Sequence, residues 1–292
     1  MPIDPSVAIG AALPDRTFSW SSSDVLLYHL AIGAGMRPGD HLDATALRYT
    51  YDGDLQVLPS FGVVAPSLHE TEPPAVSFPG CEIDLAAVVH GSQEIRVHAP
   101  IPTAGTATLQ TRITDIWDKG KAAVIWQEGT ALDQDGAALW TVRSSIFARG
   151  EGGFGGARGE STAITVPDQA PDLTATYAVT PQQALLYRLC GDRNPLHADP
   201  AFARGAGFPA PILHGLCTWG ITLREVTDRL LGADASRVSG WRARFAGVVF
   251  PGDALQIRGW RTEEGVAVDV AIADGPRAGS PVLADGLVRV AP

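Results

Sequence analysis

Residues 215–232 read GLCTWGITLREVTDRLLG, and four apolar-rich runs follow: WRARFAGVVF (241–250), ALQIRGW (254–260), VAVDVAIAD (266–274) and VLADGLVRV (282–290). Positions 215–231 lack proline and place Leu216, Trp219, Leu223, Val226 and Leu230 at helical spacing. Gly232 stands where a left-handed C-terminal cap belongs, so the stretch is predicted to be one long, largely buried helix. The four runs read as strands divided by Pro-Gly, Glu-Gly and Gly-Pro turns. A long helix followed by an antiparallel meander points to an α+β fold in which a sheet wraps around a helix.

Upstream of this helix, residues 187–219 read YRLCGDRNPLHADPAFARGAGFPAPILHGLCTW. Proline disfavours α geometry in the residue before it, so Asn194-Pro195 should break any helix here. The resulting turn can bring Asp192 and His197 to face one point, as acid–base work on a water molecule requires. A plain alternative stands beside it: Asp192 closes an Asx turn, and His197 or Asp199 caps the segment after Pro200. His214-Gly215 opens the helix. Its unpaired N–H groups and missing side chain suit an oxyanion, although glycine can serve tight packing alone. Cys190, His197, Asp199, His214 and Cys217 are all possible metal ligands, but their spacings match no common zinc pattern.

Earlier in the chain the same landmarks recur. Leu27-Tyr28-His29-Leu30 answers Leu186-Tyr187-Arg188-Leu189, and His90-Gly91 answers His214-Gly215. The run 100–113 answers 248–260, and glycine turns near Asp135-Gly136 and Ala278-Gly279 close both halves. Landmarks in one order imply a duplicated domain. The positions matching Asp192 and Asn194 are Gly33 and Gly35, so the polar set belongs to the second half alone. On this alignment the first half carries about 35 extra residues across Met36–Pro79. The repeats are divided at GEGGFGGARGE (150–160), a glycine-rich stretch suited to a flexible connector. A dinucleotide-binding reading of those glycines would need a helix directly afterwards, whereas STAITVPDQAP comes next. The expected organisation is therefore 1–150, a connector over 151–174, and 175–292.

Composition excludes several classes. Of 292 residues, 22 are Lys or Arg and 32 Asp or Glu, a net charge of −10 that disfavours a nucleic-acid surface. Lys119 and Lys121 are the only lysines, so no polybasic membrane anchor exists. Three scattered cysteines argue against a disulfide framework. Neither a signal-peptide pattern nor a membrane-length apolar run is seen, so a soluble, cytoplasmic protein is expected.

The run YRLCGDRNPLHADPAFARGAGFPAPILHGLCTWG resembles the signature of the MaoC-like, or type 2, enoyl-CoA hydratases. The resemblance extends through SWSSSDVLLYHLAIGAG, LPSFGVV, HGSQEIRVHAPIPTAG, DKGKAAV, SIFARGEGGFGG and RFAGVVFPGDAL, essentially the whole chain. It is similar to the hydratase 2 domain of peroxisomal multifunctional enzymes and to stand-alone bacterial relatives. The resemblance implies a double hot-dog fold with an active second half and a first half that accommodates the acyl chain. It also implies reversible syn hydration of trans-2-enoyl-CoA to (3R)-3-hydroxyacyl-CoA by a homodimer, with no cofactor apart from the coenzyme A of the substrate. Asp192 and His197 would be the catalytic pair, Asn194 would orient them, and the Gly215 N–H would polarise the thioester carbonyl. His90, Gly91, Lys119, Arg193, Pro195, Leu196 and Phe245 fall where the family contacts acyl-CoA. Two rival readings are a dehydratase acting on acyl-carrier-protein thioesters and a non-catalytic acyl-thioester-binding subunit.

Overall fold

A computed structural model of the chain describes residues 3–73, 77–83, 88–160 and 163–291. The helix expected after His214 runs from Gly215 to Leu230 and is the seventh, α7. Every residue from Cys217 to Thr227 is buried, so its polar positions must find partners inside the protein. Thr222 and Thr227 do so by donating to carbonyls one turn back, both at 2.8 Å. Gly232 adopts φ +70 just beyond the C-cap Leu231, the left-handed geometry that ends a helix.

The remaining helices are short: α1 (Pro5–Ala8), α2 (Ser22–Ala31), α3 (Ala44–Leu47), α4 (Phe61–Val64), α5 (Gln183–Tyr187) and α6 (Pro200–Gly205). A capping box starts α2, since Ser21 accepts from the Asp24 amide and Asp24 accepts from that of Ser21. In the first half the strands are β1 (Arg16–Trp20), β2 (Val88–Val97), β3 (Gly105–Asp118), β4 (Ala122–Leu132) and β5 (Ala138–Arg149). The second half supplies β6 (Leu173–Ala178), β7 (Val238–Phe245), β8 (Ala254–Thr262), β9 (Gly265–Ile272) and β10 (Pro281–Val290).

Among the described residues these strands form one antiparallel sheet in the order β1-β3-β4-β5-β2-β7-β10-β9-β8-β6. Each half repeats the other in mirror order about the β2–β7 seam, where Ser92 pairs with Arg244 and Arg96 with Gly240. A ladder of alternating charge crosses that seam: Arg112 opposite Glu128, Glu128 opposite Arg143, Arg143 opposite Glu94, and Glu94 opposite Arg242. Opposite charges facing across strands add about 0.2–1 kcal/mol per pair and penalise slipped registers. On the inner face, α7 packs against β6, β7 and β8, and Trp241 donates to the Trp219 carbonyl at 3.1 Å.

Two expectations need correction. His90-Gly91 does not match His214-Gly215: the first pair lies on β2, whose counterpart in the mirrored sheet is β7, while His214 is the N-cap of α7. The connections 21–87 and 179–237 are of similar length, so no insertion of about 35 residues is present. The first half spends that length on short helices where the second builds α7; residues 74–76 and 84–87 of this stretch lie outside the described residues.

The glycine-rich stretch is also not a free tether. Amides of Gly153, Gly120 and Gly155 donate to the Asp118 carboxylate at 2.9, 2.7 and 2.8 Å, holding it below the usual carboxylate range. Phe154 packs on a small apolar cluster that includes Ile113, Ile116 and Ile125. Residues 161 and 162 of the expected connector lie outside the described residues. Among the described residues, no helix is long and apolar enough to cross a membrane.

Candidate active site

Chain direction reverses after Cys190 because Gly191 takes φ +103. The Asn194-Pro195 pair then starts a single 3₁₀ turn, Pro195–His197, as the proline requires. Within it the Asn194 amide donates to Asp192 Oδ1 at 3.1 Å, and Asn194 Oδ1 accepts from the Leu196 amide at 3.0 Å. Asp192 therefore does close an Asx turn, and its second oxygen remains available. That oxygen, Oδ2, lies 4.0 Å from His197 Nε2. Asp199 caps α6 through the Ala201 and Phe202 amides, so it plays the structural part expected of a cap and is not at the centre.

His197 Nδ1 is 2.9 Å from the Ile212 carbonyl. A carbonyl only accepts, so Nδ1 carries the proton and the bare Nε2 faces Asp192. Burial lowers the pKa of His197, with the Asp192 carboxylate opposing the shift. The ring is nearly buried, whereas the Asp192 side chain is 39% exposed, so the pair opens to solvent through the carboxylate.

Five other residues complete the centre. His214 stacks on His197 with centroids 3.7 Å apart and planes 25° from parallel. Gly215 comes next as the first residue of α7, where amides lack carbonyl partners one turn back. A methyl group on Gly215 would meet the Phe245 ring at 3.0 Å, and Phe245 in turn packs against His90 at 4.6 Å. His90 comes from the first half. Its Nε2 donates to the Ser92 carbonyl at 3.1 Å, and burial pushes its pKa down to about 4. Gly91 forms a bulge on β2, where a side chain would collide with Ser145.

The structure thus brings Asp192, Asn194, Pro195, Leu196, His197, Gly215, Phe245, His90 and Gly91 around one region. Arg193 points elsewhere, its Nε donating to the Glu70 carbonyl at 3.3 Å. Lys119 stands on the β3–β4 turn, three strands from β2. It donates to the Arg158 carbonyl and lies 4.9 Å over the Trp117 ring. Missing from the expected site set was His214, which the sequence places beside Gly215 but which acts on Asp192 and His197 through space.

Asp192, His197 and His214 hold ligand-capable atoms within 4.8 Å of one another. The other cysteines and carboxylate weighed for a metal are not part of that group; Cys217 faces the Ala31 carbonyl at 3.6 Å. Each ring has one nitrogen committed to a carbonyl and leaves the other free. With the Asp192 carboxylate, these are groups able to move protons.

Comparison with known proteins agrees with this architecture. Residues 18–150 match the MFE-2 hydratase 2 N-terminal domain, and residues 162–273 match the MaoC like domain. The chain is 56% identical to Enoyl-CoA hydratase ChsH3 of Mycobacterium tuberculosis over 89% of this chain and 90% of that protein. It is 43% identical to 3-hydroxyacyl-thioester dehydratase Y of the same organism over 99% of both. A MaoC-like dehydratase from Phytophthora capsici superposes with a TM-score of 0.88 and 27% identity, covering 99% of this chain and 98% of that one. With a duplicated sheet-around-helix architecture and full-length relatives of this kind, the chain belongs to the MaoC-like dehydratase family and has its double hot-dog fold.

Proposed function

We propose that the protein is an (R)-specific enoyl-CoA hydratase that adds water across trans-2-enoyl-CoA and catalyses the reverse dehydration. It is an enzyme of the hydro-lyase class. The observation that carries the catalytic assignment is the 4.0 Å gap between His197 Nε2 and Asp192 Oδ2. A water making hydrogen bonds of about 2.8 Å to both atoms subtends roughly 90–95° there, near the angle between its own O–H bonds. Its lone pairs then face away from the pair, toward a substrate carbon.

In that pose one water O–H bond breaks, its proton passing to the pair, as the new C–O bond forms at C3. The C2=C3 π electrons move onto the thioester as an enolate, and C2 takes a proton from the pair. The α7 N-terminus at Gly215 supports the oxyanion, in the position where unpaired amides and the helix dipole favour negative charge. Addition and protonation from one cluster on one face give the syn course. The first half supplies His90 beside Phe245 and room for the acyl chain. The same reading carries a homodimer.

A coupled test follows the absorbance of a conjugated enoyl thioester on coenzyme A and, in parallel, on acyl-carrier protein, with chiral separation of the product. Wild type should consume the coenzyme A substrate and yield the 3R product. Asp192→Asn and His197→Gln should each lower kcat by about 10²–10⁴-fold while remaining folded. Preference for the carrier-protein substrate would replace the coenzyme A assignment, and no turnover of either would leave a binding subunit.

A further inference from the structure

We propose that His214 is a positioning residue for this chemistry: its ring braces the catalytic imidazole face to face while its Nε2–H holds the main chain of Asp192. The inference rests on the hydratase reading above and extends it to a residue that does not touch the reacting atoms. His214 Nε2 lies 3.3 Å from the Asp192 carbonyl oxygen, an acceptor, so Nε2 carries the proton. Its stacking contact with His197 is the closest ring pair among the described residues. One side chain therefore grips both members of the pair, the acid by its backbone and the base by its ring.

The brace is itself packed against other rings. Tyr187 packs on His214 at 4.9 Å, and Tyr28 of the first half meets Tyr187 edge-on at 6.3 Å. All three side chains are essentially buried. Among the described residues His214 Nδ1 is buried with no hydrogen-bond partner, a cost that a purely structural position would shed by carrying an apolar ring. The charged groups facing the two rings are the Asp192 carboxylate and the Arg188 guanidinium, with His90 facing Asp192 from β2. Burial, the neighbouring imidazole and Arg188 all disfavour a charged His214, so a proton taken up by the stacked pair resides on His197 beside the carboxylate.

Two substitutions separate the two contacts. His214→Gln keeps an amide donor for the Asp192 carbonyl and loses the stack, whereas His214→Phe keeps the stack and loses the donor. Displacement of a reacting group by about 1 Å can cost 10²-fold, so each variant should lose about 10- to 100-fold in kcat with KM for enoyl-CoA changed less than about two-fold. Added to Asp192→Asn, His214→Phe should cost less than about two-fold more, because its effect runs through Asp192, and His214→Gln should do the same when added to His197→Gln, because its effect runs through that ring. Imidazole ¹⁵N spectra give a readout independent of turnover. Wild type should show His214 protonated at Nε2 and His197 at Nδ1, and His197 should keep that tautomer in His214→Gln because the Ile212 carbonyl still holds it. Unaltered kcat in both variants, with Asp192→Asn inactive, would overturn the positioning role and leave the hydratase reading intact. A wild type without hydratase activity would instead remove the hydratase reading. A His214 proton on Nδ1 would overturn the brace whatever the activity.

Discussion

Gly191 faces the carbonyl oxygen of Ser67 so closely that a methyl group built on its α-carbon would lie 1.8 Å from that oxygen. Two residues from opposite halves thus fix where the Asp192 turn begins. The first half contributes backbone to the site as well as the imidazole of His90.

Gly191→Ala should therefore damage the turn by two routes. A φ of +103 is strained for any side chain, at about 1–3 kcal/mol, and the Ser67 carbonyl cannot yield without moving the 3₁₀ turn Ala65–Ser67 that continues α4. Urea unfolding should show the loss of stability, and kcat should fall by about 100-fold or more because Asp192 moves with the turn. Wild-type midpoint and turnover in this variant would contradict the buttress.

Gly215→Ala distinguishes an oxyanion site from a glycine kept for helix geometry. Alanine is the better helix former by about 1 kcal/mol, so the isolated helix gains. Its methyl group, however, meets Phe245 at 3.0 Å and crowds the space before the first amides of α7. The expected outcome is near-wild-type stability with kcat reduced about 10-fold or more, and partial recovery when Phe245→Leu makes room. Steady-state kinetics on the single and double variants measures this, and full activity in Gly215→Ala would remove the oxyanion role.

How much of this was legible in the sequence depends on whether the interaction is local. The spacing of Leu216, Trp219, Leu223, Val226 and Leu230 with Gly232 as terminator, and the helix break at Asn194-Pro195, are properties of neighbouring residues, and the structure shows both. The repeated order of landmarks was also visible, and the mirrored sheet displays it. Matching His90-Gly91 to His214-Gly215 failed because identical dipeptides can serve a strand bulge and a helix cap equally well. Residues 150–158 looked slack because composition describes side chains, whereas the hold on Asp118 is made by backbone amides. The meeting of Gly191 with Ser67, and of His214 with the Asp192 carbonyl, arises only after the halves dock, and no local pattern announces either.

Arg37 joins the halves from another direction. Its guanidinium contacts Glu225 on α7 and lies 3.5 Å from Asp228, while Arg224 and Arg229 reach Glu225 at 3.0 and 3.1 Å. Burial works to raise the pKa of Glu225, and Arg224 and Arg37 outweigh it, so the carboxylate stays charged inside the protein. Removing one partner of a buried pair costs about 3–5 kcal/mol, and partial exposure of Arg37 places Arg37→Met at or below ~3 kcal/mol. Glu225→Gln added to Arg37→Met should deepen that loss, because the buried Arg224 then loses a carboxylate partner. Chemical denaturation of the two variants is the check; an Arg37→Met protein as stable as wild type would show that the latch contributes nothing.

Stability should fall on mild acidification because several imidazoles are held neutral. His29 is buried with Nδ1 donating to the Tyr49 carbonyl at 3.0 Å and Nε2 accepting from the Leu58 amide at 3.3 Å, and burial pushes its pKa to about 3. Burial likewise lowers His90 to about 4 and depresses His197 and His214. The unfolded chain takes up these protons near pH 6.5 while the folded chain does not, so stability is complete above that pH and is lost as pH drops below it. Each neutral imidazole contributes a slope of about 1.4 kcal/mol per pH unit below 6.5, until its own folded pKa is reached. Urea titrations should give a plateau from pH 7 to 8 and a steep decline from pH 6 to 5. His29→Gln, which can still donate and accept, should remove about one quarter of the slope if all four histidines titrate in the unfolded state alone. A pH-independent midpoint between 7 and 5 would mean that these rings are not held neutral by the fold.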